Sequence, residues 1–476
     1  MSPISTISIW RLTWPTIISN ITYMLMGVAF LKMAGSLGAD AVSAVTTGQR
    51  LYFVLHAIVM GLCSGTTAMV GKYWGANNQL LAGRFASLSI LLFFLDGLLF
   101  AWIAIPFREQ LVGIFNLSED AHRMAVDFTF WTAIFAPAML STLVFNMSFR
   151  ATGDSTTPLW TAIFGVILSV ILGAAMTFGW VGLPIMGISG LAIGGGIAMS
   201  VTIIAFLLIW VFGGFNFKPT SPMPDLLANG KQLVNIGMPA AFEQAFFQGG
   251  LLIFMVFLAG YGNEPFAAYG IGLSILGIVI VVAFSFSISS ATLVSQHLGA
   301  GDHQGAYDAG WKTMRTCLYI MISGGVLMSW YAREIASFMI ADPLVIHHMV
   351  QFTYILSACL PLMAIEFSMA GALRGAGDTR YPMKVTIFSI AITRIVAPWI
   401  MVTMGVDVVW LYATSLADFS IKSSLLFGLT KALFFINSKD FSLIWPNEFI
   451  VSVILSSRLS NETESEILKN PDFTVY

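Results

Sequence analysis

Five ionisable residues in the second half of the chain, Glu243, Glu366, Arg394, Asp418 and Lys422, lie inside long apolar runs where charge is rare. A charged side chain at membrane depth costs about 2.5–3.5 kcal/mol on insertion scales, so it is retained where it faces a cavity or a partner. Carboxylates in that setting can exchange a proton or a small cation, because burial favours the neutral acid and a neighbouring cation favours the carboxylate. Glu243 follows Pro239 by four residues in Pro-Ala-Ala-Phe-Glu-Gln and is the leading candidate for ion coupling, with a proton or a sodium ion as the species exchanged there. Asp418 and Lys422 are four apart and share one helix face. They either neutralise each other or form an ion-pair switch, in which protonation of Asp418 releases Lys422 to Glu366 or Glu243. Arg394 has several N–H donors with which to orient one of these carboxylates. Glu366 precedes Asp378 by twelve residues, about 18 Å of helix, a position that fits a gating network as well as substrate contact. The first half offers mainly Asp96 and Lys32, and Lys32 is close enough to a span end to snorkel.

Neutral hydrogen-bonding groups also fall within the apolar runs: Asn20, Tyr23, Asn146, Gln244, Gln248 and Tyr354 are candidate substrate contacts. A site for bulky amphipathic molecules needs few fixed polar groups and much adaptable apolar surface. Met24, Met26, Phe246 and Phe247 can supply it, although such residues at helical spacing serve equally for packing or lipid contact.

The elements that position these groups follow from composition. Hydrophobic residues make up 57% of 476 and charged residues 10%, with a mean hydropathy of +0.84, whereas soluble proteins carry roughly 25% charged residues. Spans of about 20 apolar residues each predict twelve transmembrane helices, near 14–34, 51–71, 86–106, 126–148, 159–179, 187–211, 235–259, 266–296, 313–332, 347–370, 383–403 and 408–436. Continuous apolar runs argue against a barrel, and the 266–296 run must tilt, kink or project from the bilayer. A net charge of -2 gives no nucleic-acid footprint, and Cys63, Cys317 and Cys359 form no metal or disulfide spacing. Lys and Arg cluster on the side that holds Arg11, Lys72, Arg84, Arg150, Lys218, Lys231, Lys312, Arg315, Arg374, Arg380, Lys384, Lys431 and Lys439, leaving Arg50, Arg108, Arg123 and Arg333 on the other. This bias predicts cytoplasmic N- and C-termini. Residues 212–234, with Lys218, Pro219, Pro222, Pro224, Asp225 and Lys231, read as an extended cytoplasmic linker between lobes at 1–211 and 235–437, and 438–476 as a cytoplasmic tail.

Adding 224 to first-half positions lands on matching residues: Pro15 on Pro239, Gly75-Ala76 on Gly299-Ala300, Pro137 on Pro361, Arg150 on Arg374, Gly153-Asp154 on Gly377-Asp378, Pro158 on Pro382. Two copies of a six-span unit enter the membrane from the same side and are parallel repeats, with a central site that each bundle can expose in turn. Arg150 with Asp154 and Arg374 with Asp378 read as structural or gating residues at span ends, and Pro15 and Pro239 as their counterparts inside the first span of each copy.

These features resemble the multidrug and toxic compound extrusion (MATE) family, NorM-like or DinF-like, over roughly residues 11–437. The resemblance rests on Met26-Gly27, Gly35-Ser36-Leu37-Gly38, Val70-Gly71 to Gly75-Ala76, Arg150-Ala151-Thr152-Gly153-Asp154, Pro239 to Gln244, Gln296 to Gly301 and Leu373 to Thr379 with Pro382. It implies an all-α, V-shaped, two-lobed transporter of a bacterial inner membrane, a monomer among membrane lipids. It also implies export of small amphipathic organic compounds, cations above all, by antiport with protons or sodium ions and without cofactor. The family's acidic residue in the first span has Phe30 in its register here, which shifts the expected coupling to the C-terminal copy. A flippase for a lipid-linked precursor and a non-transporting receptor or scaffold are the competing readings; without an HExxH, GxSxG or P-loop pattern, enzyme chemistry is not expected.

Overall fold

The computed structural model describes residues 8–215, 217–220 and 226–435. Among them the long elements are twelve helices and there is no strand. They are α1 (Ile9–Gly35), α2 (Ala39–Gly75), α3 (Gln79–Ala104), α4 (Glu119–Ala151), α5 (Thr156–Phe178) and α6 (Ile188–Val211), which form the N-lobe, and α7 (Leu226–Ala259), α8 (Asn263–Gly299), α9 (His303–Trp330), α10 (Pro343–Gly375), α11 (Arg380–Thr403) and α12 (Val408–Phe435), which form the C-lobe. Ten are apolar enough over a full window to cross a bilayer. The other two are α9, which opens with the polar stretch His303 to Arg315, and α12, which carries Asp418 and Lys422; each holds the place in its lobe of an apolar helix in the other. The described residues up to Leu426 form one compact unit, and the described part of the second unit is the last turns of α12.

The duplication is written into the helix boundaries. Helix starts at Ala39 and Asn263, Gln79 and His303, Glu119 and Pro343, and Thr156 and Arg380 are each 224 apart, as are the ends at Gly35 and Ala259, Gly75 and Gly299, and Ala151 and Gly375. The caps repeat too. Asn78 accepts from the Leu81 N–H and Asp302 from the Gly305 N–H; Ser118 accepts from Ala121 and Asp342 from Leu344 and Val345. Each satisfies an orphan donor of a first turn. Asp154 and Asp378 do the same before α5 and α11, accepting from Thr156 and Thr157 and from Arg380 and Tyr381. Gly153 (φ 91°) and Gly377 (φ 89°) make the tight turn before these caps, a conformation that L side chains rarely adopt.

One element departs from the symmetry. α5 is α-helical over 23 residues, whereas α11 needs 24 and contains a π-helical segment, Ala391–Val396. A π-turn closes its hydrogen bond one residue later than an α-turn and so absorbs an added residue without ending the helix.

The connection read as extended over 212–234 is shorter, because α7 already begins at Leu226; once past Pro224, Leu226–Asn235 contains no proline to interrupt a helix. Lys231 is therefore helical, while Pro222, Pro224, Asp225 and the 438–476 tail lie outside the described residues. The first part of the connection packs back on the N-lobe: Trp210 Nε1 donates to the Phe217 carbonyl at 2.7 Å, and the Phe217 ring meets Trp74 edge-on. The long run at 266–296 is part of one 37-residue helix, α8, matched by a 37-residue α2.

The lobes meet along the halves of α1, α2, α7 and α8 that adjoin the face where α1 begins, hereafter the near face. Gly61 and Gly65 leave room for the α7 backbone at Ala240–Ala241 and Leu233, and Gly237 does so for Leu62. At the near ends the packing is reciprocal. A Cβ on Gly75 would strike the Gln296 backbone and one on Gly299 would strike the Lys72 backbone, and these two contacts are related by the repeat. Hydrogen bonds also cross the seam, from Thr13 to Ser289 at 2.9 Å, from Asn20 to Ser285 at 3.2 Å, and from Gln296 Nε2 to the Ala151 carbonyl at 2.7 Å. The near face is closed.

Candidate functional site

The charged candidates of the C-lobe converge. From α7, Glu243 Oε1 accepts from Arg374 Nη2 of α10 at 2.7 Å and from the Thr386 hydroxyl of α11 at 3.3 Å, while Arg374 Nη1 also donates to Ser287 of α8 at 3.3 Å. Asp418 on α12 is held from three directions: Lys422 Nζ donates to Oδ2 at 3.1 Å, Arg394 Nη2 approaches the same oxygen at 3.5 Å, and the Ser389 hydroxyl donates to Oδ1 at 2.6 Å. Arg394 further donates to Ser415 at 3.1 Å and stacks on Phe254 at 4.9 Å. Lys422 then reaches Glu366 Oε1 on α10 at 3.8 Å.

These groups are buried, Asp418 at 1% and Lys422 at 0% exposure, except Arg374, which is half-buried. Three carboxylates stand against three basic groups, so the cluster is formally neutral with every member ionised. It is also incompletely satisfied. Glu243 Oε2, Glu366 Oε2 and Arg374 Nε have no hydrogen-bond partner. Glu366 lies in the field of both pairs, with Lys422, Asp418, Glu243 and Arg374 as its electrostatic neighbours. A proton taken up by one carboxylate therefore frees a cation for another, and spare oxygens remain to accept it. The π-turn carries Arg394, and the charge enters the bundle where the helix has its extra residue.

The N-lobe repeats the scaffold without, among the described residues, the buried ion pairs. Position for position, Glu243 corresponds to Ser19 and Glu366 to Thr142, whose hydroxyls donate to Pro15 and Ala138 carbonyls within their own helices. In place of ion pairs, α5 and α6 pack through glycine: a Cβ at Gly190 or Gly194 would strike the backbone at Met176–Thr177 or Leu172–Gly173. Phe30 is buried in the same core, its ring lying where a Cβ on Gly173 or Gly195 would touch it.

The pairing of Asp418 with Lys422 and Arg394, and the reach of Lys422 to Glu366, place those sequence candidates together. Among the substrate candidates, Asn20, Tyr23 and Asn146 gather on the inner side of the N-lobe. Asn146 donates to the Tyr23 hydroxyl at 3.5 Å and accepts from Thr161 at 2.6 Å. Gln244 and Gln248 are half-buried on α7. Tyr354 stands apart, lining an apolar groove of about 540 Å³ between α9 and α10 with Trp330, Ser357 and Pro361. Asp154 and Asp378 cap helices, as a structural role requires, but Arg150 and Arg374 turn away from them into the bundle. Pro15 and Pro239 lie within continuous helices at the lobe seam. Lys32 is exposed and Asp96 half-buried. The sequence reading missed Arg374 as the partner of Glu243, because its match to Arg150 marked it as a repeat signature. It also missed Ser389, Ser415 and Thr386, for which pattern gives no signal. Among the described residues no three His, Cys, Asp or Glu side chains cluster as metal ligands.

Two parallel-repeat six-helix lobes, packed by glycine along a seam and holding buried ion pairs beside it, define a polytopic membrane transporter. The MatE profile matches residues 15–175 and 239–400, and the chain belongs to that family of MATE transporters. A protein of Thermotoga maritima described as a probable multidrug resistance protein NorM is 27% identical over 440 residues, spanning 90% of this chain and 92% of its own. The FAD transporter of Shewanella oneidensis is 23% identical over 371 residues, 76% of this chain and 80% of its own. Among solved structures, a mutant of the Vibrio cholerae MATE transporter VcmN has a TM-score of 0.83 at 18% identity, covering 91% of this chain and 98% of that one. A MOP superfamily transporter from Pyrococcus furiosus has a TM-score of 0.80 at 18% identity, covering 89% and 96%. These structures share the fold.

Proposed function

We propose that the protein exports amphipathic organic compounds by proton antiport, with the C-lobe cluster as the coupling site. The observation that carries this reading is the largely buried, formally neutral set of Glu243, Glu366 and Asp418 with Arg374, Arg394 and Lys422, in which two carboxylate oxygens lack partners. Protonating Glu243 releases Arg374, and protonating Asp418 releases Lys422 toward Glu366. Each step changes which helices are tied together, α7 to α10 in the first case and α12 to α10 in the second. A sodium ion is the second reading, favoured by the free Oε2 atoms of Glu243 and Glu366. Both ions bring the same charge, but a proton neutralises one carboxylate outright and so releases its pair, whereas a sodium ion needs several oxygen ligands beside three competing cations.

Lys and Arg enrichment assigns the near face to the cytoplasm, so the closed seam describes a state sealed against the cytoplasm. The names of the relatives support multidrug export as the cargo class. The test is transport of a lipophilic dye in reconstituted vesicles under separately imposed proton and sodium gradients, for the wild type and Glu243→Gln. Transport driven by the proton gradient and lost in the variant is expected. Full gradient-driven transport by Glu243→Gln would remove Glu243 from the mechanism, and a sodium-only response would replace the proton.

A further inference from the structure

The two arginines of the repeat have unequal company. Arg374 has Glu243; Arg150, its copy, has Ser19 at the corresponding position and, among the described residues, no carboxylate within ion-pairing distance. Arg150 is 3% exposed, its Nε lacks a partner, and among the described residues its guanidinium has a hydrogen-bond partner only in the Met147 sulfur, at 4.0 Å from Nη1. A desolvated guanidinium without a counter-charge is costly to keep and, as a planar fork of donors, is suited to an oxyanion.

The surroundings fit that use. Its electrostatic neighbours are Tyr23 on α1 and Cys63 on α2, so the guanidinium extends from α4 toward the two N-lobe helices of the seam. The Tyr23 hydroxyl accepts from Asn146 and keeps its own proton to donate. Asp96 acts on Cys63 from α3 but makes no ion pair with Arg150. The residue after Arg150, Ala151, gives its carbonyl to Gln296 of the other lobe. Parting the near-face seam breaks that bond beside the guanidinium.

We propose that Arg150 is an anion-binding centre of the N-lobe, which takes the carboxylate of an amphipathic substrate when the near-face seam parts, with Tyr23 and Asn146 as further donors. The transported class then includes organic anions and zwitterions beside cations. The two lobes divide the work, the anion on Arg150 and the proton on the C-lobe carboxylates. This inference rests on the export reading for its physiological role, but the binding site is testable without it.

The probes are a rhodamine dye with its free carboxylate and the methyl ester of the same dye, titrated against purified full-length protein by fluorescence anisotropy. Arg150→Gln is expected to weaken the carboxylate dye about tenfold or more, one broken charged contact, and to leave the ester within about twofold. Ser19→Glu, which gives Arg150 the partner that Arg374 has, is expected to do the same and carries the test alone if Arg150→Gln does not fold. Equal weakening of both dyes, or of neither, in the folded variants overturns the proposal. Vesicle transport of the ester under a proton gradient tests the export reading separately: its absence refutes export and leaves the dye-binding result standing.

Discussion

The N-lobe and the C-lobe share helix boundaries, caps and tight turns, yet one is packed with glycine where the other is packed with charge. Gly190 and Gly194 bring α6 against the α5 backbone, while Asp418 and Lys422 on α12 meet Ser389 and Arg394 of α11 and Glu366 of α10. The contrast teaches that the scaffold does not depend on the ion pairs. A six-helix bundle of the same length and register forms without them, so the C-lobe cluster is retained for what it does rather than for the fold.

The largest effect expected from this comparison is on coupling. Glu243→Gln should reduce gradient-driven transport by about a hundredfold, the order of a lost charged contact in a mechanism, while Ser19→Ala, its counterpart, stays within about twofold. Equal losses at both positions in a vesicle assay would break the asymmetry. Next comes stability. Removing one partner of a buried ion pair costs about 3–5 kcal/mol, so Asp418→Asn should lower the thermal midpoint of the purified protein markedly. Replacing Asp418 and Lys422 together with their further partners Arg394 and Glu366 by apolar residues of similar size should recover most of it without recovering transport. Recovery of both would show that these pairs are only packing.

A smaller effect belongs to the N-lobe. Gly194→Ala inserts a methyl group against the α5 backbone and should cost about 1–3 kcal/mol, again read from the thermal midpoint; no change there would mean that the glycine seam is not close-packed. The smallest expected difference is between the caps. Asn78→Ala and Asp302→Ala should each cost about 1 kcal/mol for the first-turn N–H that both accept. Asp302 adds one refinement. The Gly305 N–H and His297 hold its carboxyl below the usual range, so its contribution is present above the ordinary carboxylate pKa and fades as pH falls through the lowered value. The neutral Asn78 shows no such decline in a pH series of melts.

Much of this was legible in the sequence, because membrane spans and duplications are carried by long-range regularities. The twelve apolar runs, the 224-residue offset and the presence of Glu243, Glu366, Arg394, Asp418 and Lys422 within them follow from composition and spacing alone. Partner choice was less legible. Arg374 and Arg150 carry the same local motif, and only the residue three spans earlier, Glu243 or Ser19, distinguishes a paired arginine from an unpaired one. Hydroxyl groups such as Ser389 and Thr386 are equally invisible, because serine and threonine in such helices mostly bond their own backbone, as Thr13, Thr16 and Ser19 do. The start of α7 was misplaced because proline marks where a helix cannot run and says little about how soon after it one begins.

The π-turn in α11 has a genetic consequence. If the copies were once identical, one inserted codon between Ala391 and Val396 accounts for the 24 residues of α11 against the 23 of α5. Because a π-turn takes up its extra residue locally, deleting one codon there would restore a plain α-helix whose two ends keep their register, while the residues of the segment itself, Arg394 among them, change direction. That single step would part Arg394 from Asp418 with the flanking turns in place, which makes the segment a place where this lobe can lose its chemistry and revert to the plain architecture of its twin.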